Sequence, residues 1–348
     1  MGKLDSFSVE LSKPGASYAA GEELSGKILI VCSEVLAIQQ LYIHVKGEGS
    51  TSWLNKTSEQ AFTFNQAYLD RVIDIPLTPS SRTLTPGTHI VPFTLLLPPD
   101  VPSSVEGEWG FIRYKVRAVI EITPLEETTS GGLISSVFGL STHGNDYSAT
   151  LDFTVIAVVD LRKDPINLRP VETEDWAPFF LCCCIRTGQV RASVRLHKLA
   201  FAMSEPITMS AQVANHSGKN ISNVTCKILQ HIRFYGQSEF LQTDEIKEAR
   251  ILVGEKEWGS IPNRTRQVFE HEVIPLDPNR RLIPTQINYA VSIEYTLAFE
   301  LEPTGPILEL PLIIGTIPTV ATGPSGPPVP QSNVGQRPHS SVYKQNYL

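Results

Sequence analysis

The chain has 348 residues, of which 41% are hydrophobic and 19% are charged. This composition is that of a globular chain with room for two domains, and it excludes wholesale disorder. The 36 Asp and Glu residues outnumber the 29 Lys and Arg residues, for a net charge of −7, and no long basic run occurs. Binding of nucleic acid through general electrostatics is therefore not expected.

The apolar segments and the cysteines indicate a cytoplasmic protein. The longest apolar stretch, 176–185, is far shorter than the roughly 18 residues of a membrane span, and the N-terminus alternates apolar and polar residues instead of forming a signal peptide. The five cysteines have neither disulfide-framework nor metal-ligand spacing, so we expect a reducing compartment and no metal or other cofactor. Five N-x-S/T sequons keep a secreted β-sandwich binding module open as an alternative, and they lie at Asn55, Asn215, Asn220, Asn223 and Asn263.

Alternation of apolar and polar residues, the pattern of half-buried strands, runs along the whole chain. The stretch 112–120 shows it most clearly, with five apolar residues on one face and three cations on the other. The best helical candidate, 243–253, is equally compatible with a loop followed by a strand. In chain order, we predict strands at 6–11, 24–32, 36–47, 68–75, 89–97, 112–120, 147–159, 190–197, 205–215, 222–235, 249–257, 266–274, 289–299 and 308–314.

Many short strands without intervening helices predict antiparallel β-sandwiches, and their number exceeds one sandwich of roughly 100 residues. We therefore expect an all-β protein with a first domain at 1–160 and a second at 175–317. The linker between them, 161–174, begins where the strand pattern gives way to a polar stretch with two prolines. The tail, 318–348, is rich in Pro, Gly and Ser and is expected to be disordered.

Motifs of catalytic sites are missing from the sequence. No GxSxG, HExxH, GxxxxGK[ST] or GxGxxG occurs, and the eight histidines are not spaced to share a metal with Cys or Asp. An all-β enzyme is left without positive evidence, and the chain is expected not to be an enzyme.

Four stretches in the same order resemble the arrestin-domain-containing proteins, the α-arrestins. The most specific is LPPDVPSSVEG at 97–107, followed by the strand GFIRYKVRA at 110–118. The others are GEELSGKI at 21–28, CCC at 182–184 with GQV at 188–190, and PLIIGTIP at 311–318.

The resemblance implies two tandem arrestin-like, immunoglobulin-like β-sandwiches that act as a non-catalytic adaptor. Such proteins bind membrane receptors or transporters as cargo and direct protein transport, endocytosis, signalling or ubiquitination, so recruitment from the cytoplasm to the plasma membrane or endosomes is expected. A constitutive coat-like subunit of an endosomal sorting complex is an alternative of the same fold. Many family members carry a PPxY motif that docks ubiquitin ligases, but this tail has PPVP at 327–330. We therefore do not expect ligase recruitment through PPxY.

Seven residues are candidates for function. Arg113, Lys115 and Arg117 share one strand face and could receive an acidic or phosphorylated cargo tail. Lys13 follows the first strand, where more distant arrestins place phosphate-sensing lysines. The remaining three are possible sites of S-acylation that would give peripheral membrane association, namely Cys182, Cys183 and Cys184.

Overall fold

The computed structural model describes residues 4–57, 59–76, 82–122, 147–181, 185–238, 243–287, 289–303 and 305–319. Two 3₁₀ turns, Pro14–Ala16 and Pro165–Leu168, interrupt a succession of strands. Within these residues no helix is long and apolar enough to cross a membrane.

The first half of the chain contributes ten strands, most of them in a sandwich of two sheets. In chain order they are β1 Leu4–Leu11, β2 Ser17–Ala19, β3 Glu23–Cys32, β4 Leu36–Asn55, β5 Gln60–Asp74, β6 Thr83–Leu84, β7 Gly87–Leu96, β8 Val105–Gly107, β9 Gly110–Ile122 and β10 Tyr147–Ile156. One sheet has the order β1-β3-β7, and β5-β4-β9-β10-β2 form the other. Alternate residues such as Ile28, Ile43 and Val116 are fully buried because each strand turns one face to the core.

The second half contributes nine strands. They are β11 Val171–Leu181, β12 Ile185–Leu196, β13 Ala200–Ala202, β14 Ile207–His216, β15 Asn223–Gln237, β16 Asp244–Trp258, β17 Thr265–Ile274, β18 Val291–Glu302 and β19 Ile307–Gly315. One sheet has the order β11-β12-β14-β17, while β16, β15, β18, β19 and β13 lie side by side in the other. A pairing of Thr63 on β5 with Gln237 on β15 joins the larger sheets of both halves into one twelve-stranded sheet.

The predicted strands are all present, with ends shifted by a few residues and with β4 and β5 much longer than expected. The ambiguous stretch 243–253 is strand, because it belongs to β16. Strand β11 was not predicted, and it begins at Val171, inside the predicted linker. Its pattern is obscured because polar Thr173 and Asp175 lie in register with the core-facing Val194 and Ala192 of β12. Most of the predicted disordered tail, 320–348, lies outside the described residues.

Candidate functional site

The loop 97–104, which carries the PPDVPSS sequence, lies where the two halves of the molecule meet. Its hydroxyl groups fix it to β10 and to the residue that follows β10: Ser104 Oγ accepts from the backbone N–H of Val155 at 3.0 Å, and Ser103 Oγ accepts from that of Ala157 at 2.9 Å. The Tyr114 hydroxyl donates to the Pro102 carbonyl at 2.7 Å. The two serines thus replace strand pairing that the prolines cannot provide.

Three hydrogen bonds connect this region to the second half. Gln286 Oε1 accepts from the backbone N–H of Ser103 at 2.9 Å, in a fully buried contact. The Tyr68 hydroxyl accepts from the backbone N–H of Ala290 at 3.0 Å, and Tyr289 donates to the Asp100 carbonyl at 3.3 Å. Burial raises the pKa of Tyr68 to about 12, so this hydroxyl stays neutral. The junction is therefore held by specific polar contacts.

Aromatic rings fill the space next to these hydrogen bonds. Trp109 and Phe234, from opposite halves, meet edge to face with ring centroids 5.7 Å apart. A Cβ at Gly107 would overlap the ring of Phe234, and one at Gly236 would overlap Trp53. Glycine is therefore required at both positions for the halves to approach.

A crevice of about 380 Å³ opens at this junction. Its walls come from the turn after β1, from β8, β9 and β10, and from the loop before β18. The charged residues that line it are Glu106, Arg113, Asp152 and Arg281. Two cations from opposite halves therefore face one space, with two carboxylates beside them.

Arg113 is held in position on the crevice wall. Its Nε and Nη2 each donate to the Glu106 carboxylate at 2.7 Å, and its guanidinium lies 3.9 Å from the ring centroid of Phe111. Glu106 raises the pKa of Arg113, which is charged in any case. An incoming anion would have to compete with Glu106 for this guanidinium.

Arg281 approaches the crevice from the loop before β18. The Tyr295 hydroxyl anchors that loop by accepting from the Ile283 N–H at 3.0 Å and donating to the Ile283 carbonyl at 2.7 Å. Arg281 is exposed and has no ion pair with any carboxylate of the described residues. The sequence analysis missed Arg281 and Gln286, because no local pattern marks a loop residue that contacts the other domain.

The other two cations of β9 lie on the same outer face as Arg113. Lys115 Nζ lies 3.1 Å from Glu48 Oε1, and Asp152 stands opposite it on β10. Arg117 is exposed, stands opposite His44, and has no ion pair within the described part of the chain. The pKa of Glu48 is lowered, chiefly by its hydrogen bond to Lys46. The predicted stripe exists as a shared face, but carboxylates interrupt its positive charge.

Lys13 lies next to the crevice. Its ammonium contacts both Glu22 oxygens, at 2.6 and 2.9 Å, and sits over the ring of Tyr18. Gly15 and Ala16, in the turn that follows, line the crevice together with Arg113. The structure therefore brings Lys13 and Arg113 to one region of the surface.

The structure provides little information on the cysteines that the sequence singled out. Cys182, Cys183 and Cys184 lie outside the described residues, so S-acylation stays a prediction. Cys32 and Cys226 are buried, and burial raises the pKa of both thiols. Within the described ranges there is no cluster of three or more His, Cys, Asp or Glu side chains that could hold a metal ion.

Comparisons with known proteins agree with this architecture. The family model of the arrestin (or S-antigen) N-terminal domain matches residues 7–162, and that of the C-terminal domain matches 186–319. Arrestin domain-containing protein 17 of Caenorhabditis elegans is 26% identical over 92% of this chain and 72% of its own length. Arrestin domain-containing protein 1 of Rattus norvegicus is 24% identical over 96% of this chain and 70% of its own.

Proposed function

Since this chain belongs to the arrestin-domain family, we propose that it is a non-catalytic adaptor that binds membrane-protein cargo. The cargo is a receptor or transporter, and the adaptor links it to trafficking, signalling or ubiquitin-ligase machinery. It acts from the cytoplasm after recruitment to the plasma membrane or endosomes. Ligase association does not use a PPxY motif, because the tail has PPVP at 327–330.

The crevice at the domain junction supports this proposal most directly. Arg113 and Arg281 enter it from opposite halves, and the turn after Lys13 forms its rim. Guanidinium groups bind carboxylates and phosphates through paired, charge-assisted hydrogen bonds. An acidic or phosphorylated cytoplasmic segment of the cargo would contact both halves at once, displacing Glu106 from Arg113.

Proximity labelling in cells tests the proposal. The wild-type protein should label membrane proteins and trafficking components, and the double variant Arg113→Gln, Arg281→Gln should label fewer membrane proteins. Arg162→Gln is the matched control, since Arg162 is an exposed arginine whose ion pair with Asp160 lies outside the crevice. If the wild-type protein labels no membrane or trafficking protein, the adaptor function is wrong. If the wild-type protein labels membrane proteins and the double variant labels them equally well, the adaptor function stands but the crevice is wrong as the cargo site.

A constitutive coat-like subunit is the alternative of the same fold. Such a subunit would elute wholly within a large complex when native extract is separated by size. An adaptor that meets its cargo transiently would also elute at the size of the free chain. The two elution profiles therefore distinguish these functions.

The hydrogen bonds of three sequon asparagines support the cytoplasmic proposal over the secreted alternative. Asn215 is completely buried, and its Nδ2 donates to the carbonyls of Lys219 at 2.9 Å and Ile261 at 3.1 Å. Asn220 Oδ1 accepts from the backbone N–H of Asn263, and Asn263 Oδ1 accepts from that of Gly218. A glycan on Asn215 would remove a donor from this buried network. Unchanged electrophoretic mobility after glycosidase treatment is the expected result, and a shift would favour secretion.

A further inference from the structure

The outer face of the β11-β12-β14-β17 sheet carries a second cationic depression, on the C-terminal half of the chain. Buried Val190, Ala192 and Val194 alternate with outward residues on β12, so Arg191 and Ser193 project from this face. We call the depression the cationic cup; its volume is about 380 Å³. Its rim and floor are formed by Glu174, Gln189, Arg191, Gln212, Ala214 and Arg266, with His216 beside them.

The strand register explains the shape of the cup. Arg191 on β12 pairs with Ala214 on β14, and Ala214 pairs with Arg266 on β17. Two arginines therefore flank one small residue, at a spacing of two strand separations, or about 9.5 Å. The methyl group of Ala214 leaves room between them for one anionic group.

One of the two arginines of the cup already has a carboxylate partner. Arg191 forms an ion pair with Glu174 of β11, whose carboxylate lies on the same face. Arg266 is exposed and has no ion pair among the carboxylates that the structure describes. The amide groups of Gln189 and Gln212 add neutral polar groups to the rim. The cup thus contains two guanidinium groups and one carboxylate, in a protein whose net charge is −7.

We propose that the cationic cup binds an acidic peptide segment of a protein partner, with one carboxylate of the peptide between Arg191 and Arg266. The apolar neighbours of that carboxylate would contact Trp176 and Val268, which are 50% and 51% exposed at opposite edges of the sheet. The site lies on the other sheet of the C-terminal domain from the β18 loop that reaches the crevice. It therefore gives an adaptor a second binding surface, and it does not depend on cargo binding.

The distribution of charge favours a peptide over an anionic membrane. Glu172 and Glu174 project from the same sheet face beside Arg195 and Arg191, so the charge of the face is mixed and would attract an extended anionic surface only weakly. The cup also holds only one anionic group, while membrane binding accumulates many weak contacts. The ion pair with Glu174 shows that Arg191 takes a carboxylate partner on this face, and a peptide carboxylate would approach it from the Ala214 side.

Fluorescence anisotropy with the full chain and a fluorescein-labelled hexaglutamate peptide tests the proposal. Arg266→Gln should weaken binding about tenfold, since it removes one charge-assisted hydrogen-bond partner. Glu174→Gln should strengthen binding several-fold, because it releases Arg191 from its internal carboxylate. If Arg266→Gln is unstable, its loss of binding could reflect misfolding. Glu174→Gln removes this ambiguity, because misfolding of the site would not raise its affinity for the peptide.

Two further measurements separate the cup from the crevice and from a lipid-binding surface. In the background Arg113→Gln, Arg281→Gln, which removes the two crevice arginines, Arg266→Gln and Glu174→Gln should keep their effects on peptide binding, because neither Arg113 nor Arg281 lines the cup. Vesicles containing phosphatidylserine should not compete with the peptide. The proposal is overturned if Arg266→Gln and Glu174→Gln both bind as the wild type does, if neither changes binding in the background Arg113→Gln, Arg281→Gln, or if vesicles bind in an Arg266-dependent manner while the peptide does not.

Discussion

At the scale of single residues, Glu248 shows how the outer face of the second domain is stabilised. Its carboxylate accepts from Arg250 at 2.6 Å and from Arg233 at 3.0 Å, and His231 Nδ1 lies 3.1 Å away. Arg233 also pairs with Glu294. These contacts, above all the bond from Arg250, lower the pKa of Glu248 from 4.5 to about 2. The charged form is thus favoured by folding.

Glu248→Gln should lower the free energy of unfolding by about 1–2 kcal/mol at pH 7, a value reduced for solvent screening. A carboxylate with a depressed pKa stabilises the fold above its unfolded-state pKa, and this contribution is lost as the pH falls from about 4.5 to 2. The difference between variant and wild type in urea unfolding should therefore shrink between pH 7 and pH 3. Glu257→Gln, at an exposed position of the same strand, should cost less. Equal costs for both variants would contradict the network.

At the scale of strands, the sequence predicts most of the fold because alternation is a local signal. On β9, Ile112, Tyr114 and Val116 are buried while Arg113 and Arg117 are exposed, as the pattern indicates. Strand β11 could not be predicted in this way. It lies at a sheet edge, where the inward position of Asp175 remains exposed and alternation carries no signal. The sequence showed where strands lie but not where an edge is open.

Strand β7 is such an open edge, because in the described part of the chain it pairs only with β3. Its Ile90 and Leu96 side chains are exposed, which makes the ten-residue strand a template for another chain. Pro92 lies in the middle of β7 and lacks the N–H that a docking strand would use. We infer that Pro92 prevents pairing along this edge.

Pro92→Val should therefore increase self-association with protein concentration. Size-exclusion chromatography with light scattering would show a larger oligomer fraction than in the wild type. Thr94→Val provides the control, because it adds an apolar side chain to the same strand and leaves Pro92 in place. If the two variants associate equally, apolar exposure is the cause and the missing donor is not.

At the scale of the whole molecule, the candidate site could be predicted only in part. Alternation along a strand singled out Arg113, and the position after the first strand singled out Lys13; both lie near one crevice. Arg281 reaches the same crevice from a loop far along the chain, and the Tyr295 hydroxyl that holds this loop lies on β18. Arg113 and Arg281 come together only because the two sandwiches dock, and the docking cannot be predicted from the alternation of residues within a strand.

Gly107 tests whether close packing at the junction stabilises the molecule. Gly107→Ala should lower the free energy of unfolding by about 1–3 kcal/mol, because the new methyl group overlaps the fully buried ring of Phe234. The control is Gly259→Ala, where an added Cβ would meet no atom within 4 Å. The thermal unfolding midpoint of Gly107→Ala should be clearly lower than that of Gly259→Ala. Equal midpoints would show that the Phe234 ring moves aside for the methyl group at little cost.

Gln286 tests the polar part of the junction. Its Oε1 accepts from the Ser103 N–H, and its Nε2 donates to the Val291 carbonyl at 3.3 Å, so one side chain connects the two domains. Gln286→Leu leaves both backbone groups without a partner in a buried place and should cost about 2–4 kcal/mol in urea unfolding. Gln286→Glu keeps an acceptor for Ser103 but loses the donor to Val291, and the carboxylate is buried, so it should recover stability only when protonated.

The direction in which the stability of Gln286→Glu changes with pH tests the hydrogen bond from position 286 to the Val291 carbonyl. A buried carboxylate at 286 would have a raised pKa, so the stability of Gln286→Glu should increase as the pH falls from 7 to 5. Its protonated form has the shape of glutamine and can again donate to Val291 while it accepts from Ser103. Gln286→Leu has no group that titrates and should show no such recovery. If both variants unfold like the wild type at pH 7, the Ser103 to Gln286 hydrogen bond contributes nothing to docking, and the domains are held together by their other contacts, among them the Tyr68 to Ala290 hydrogen bond and the ring pair of Trp109 and Phe234.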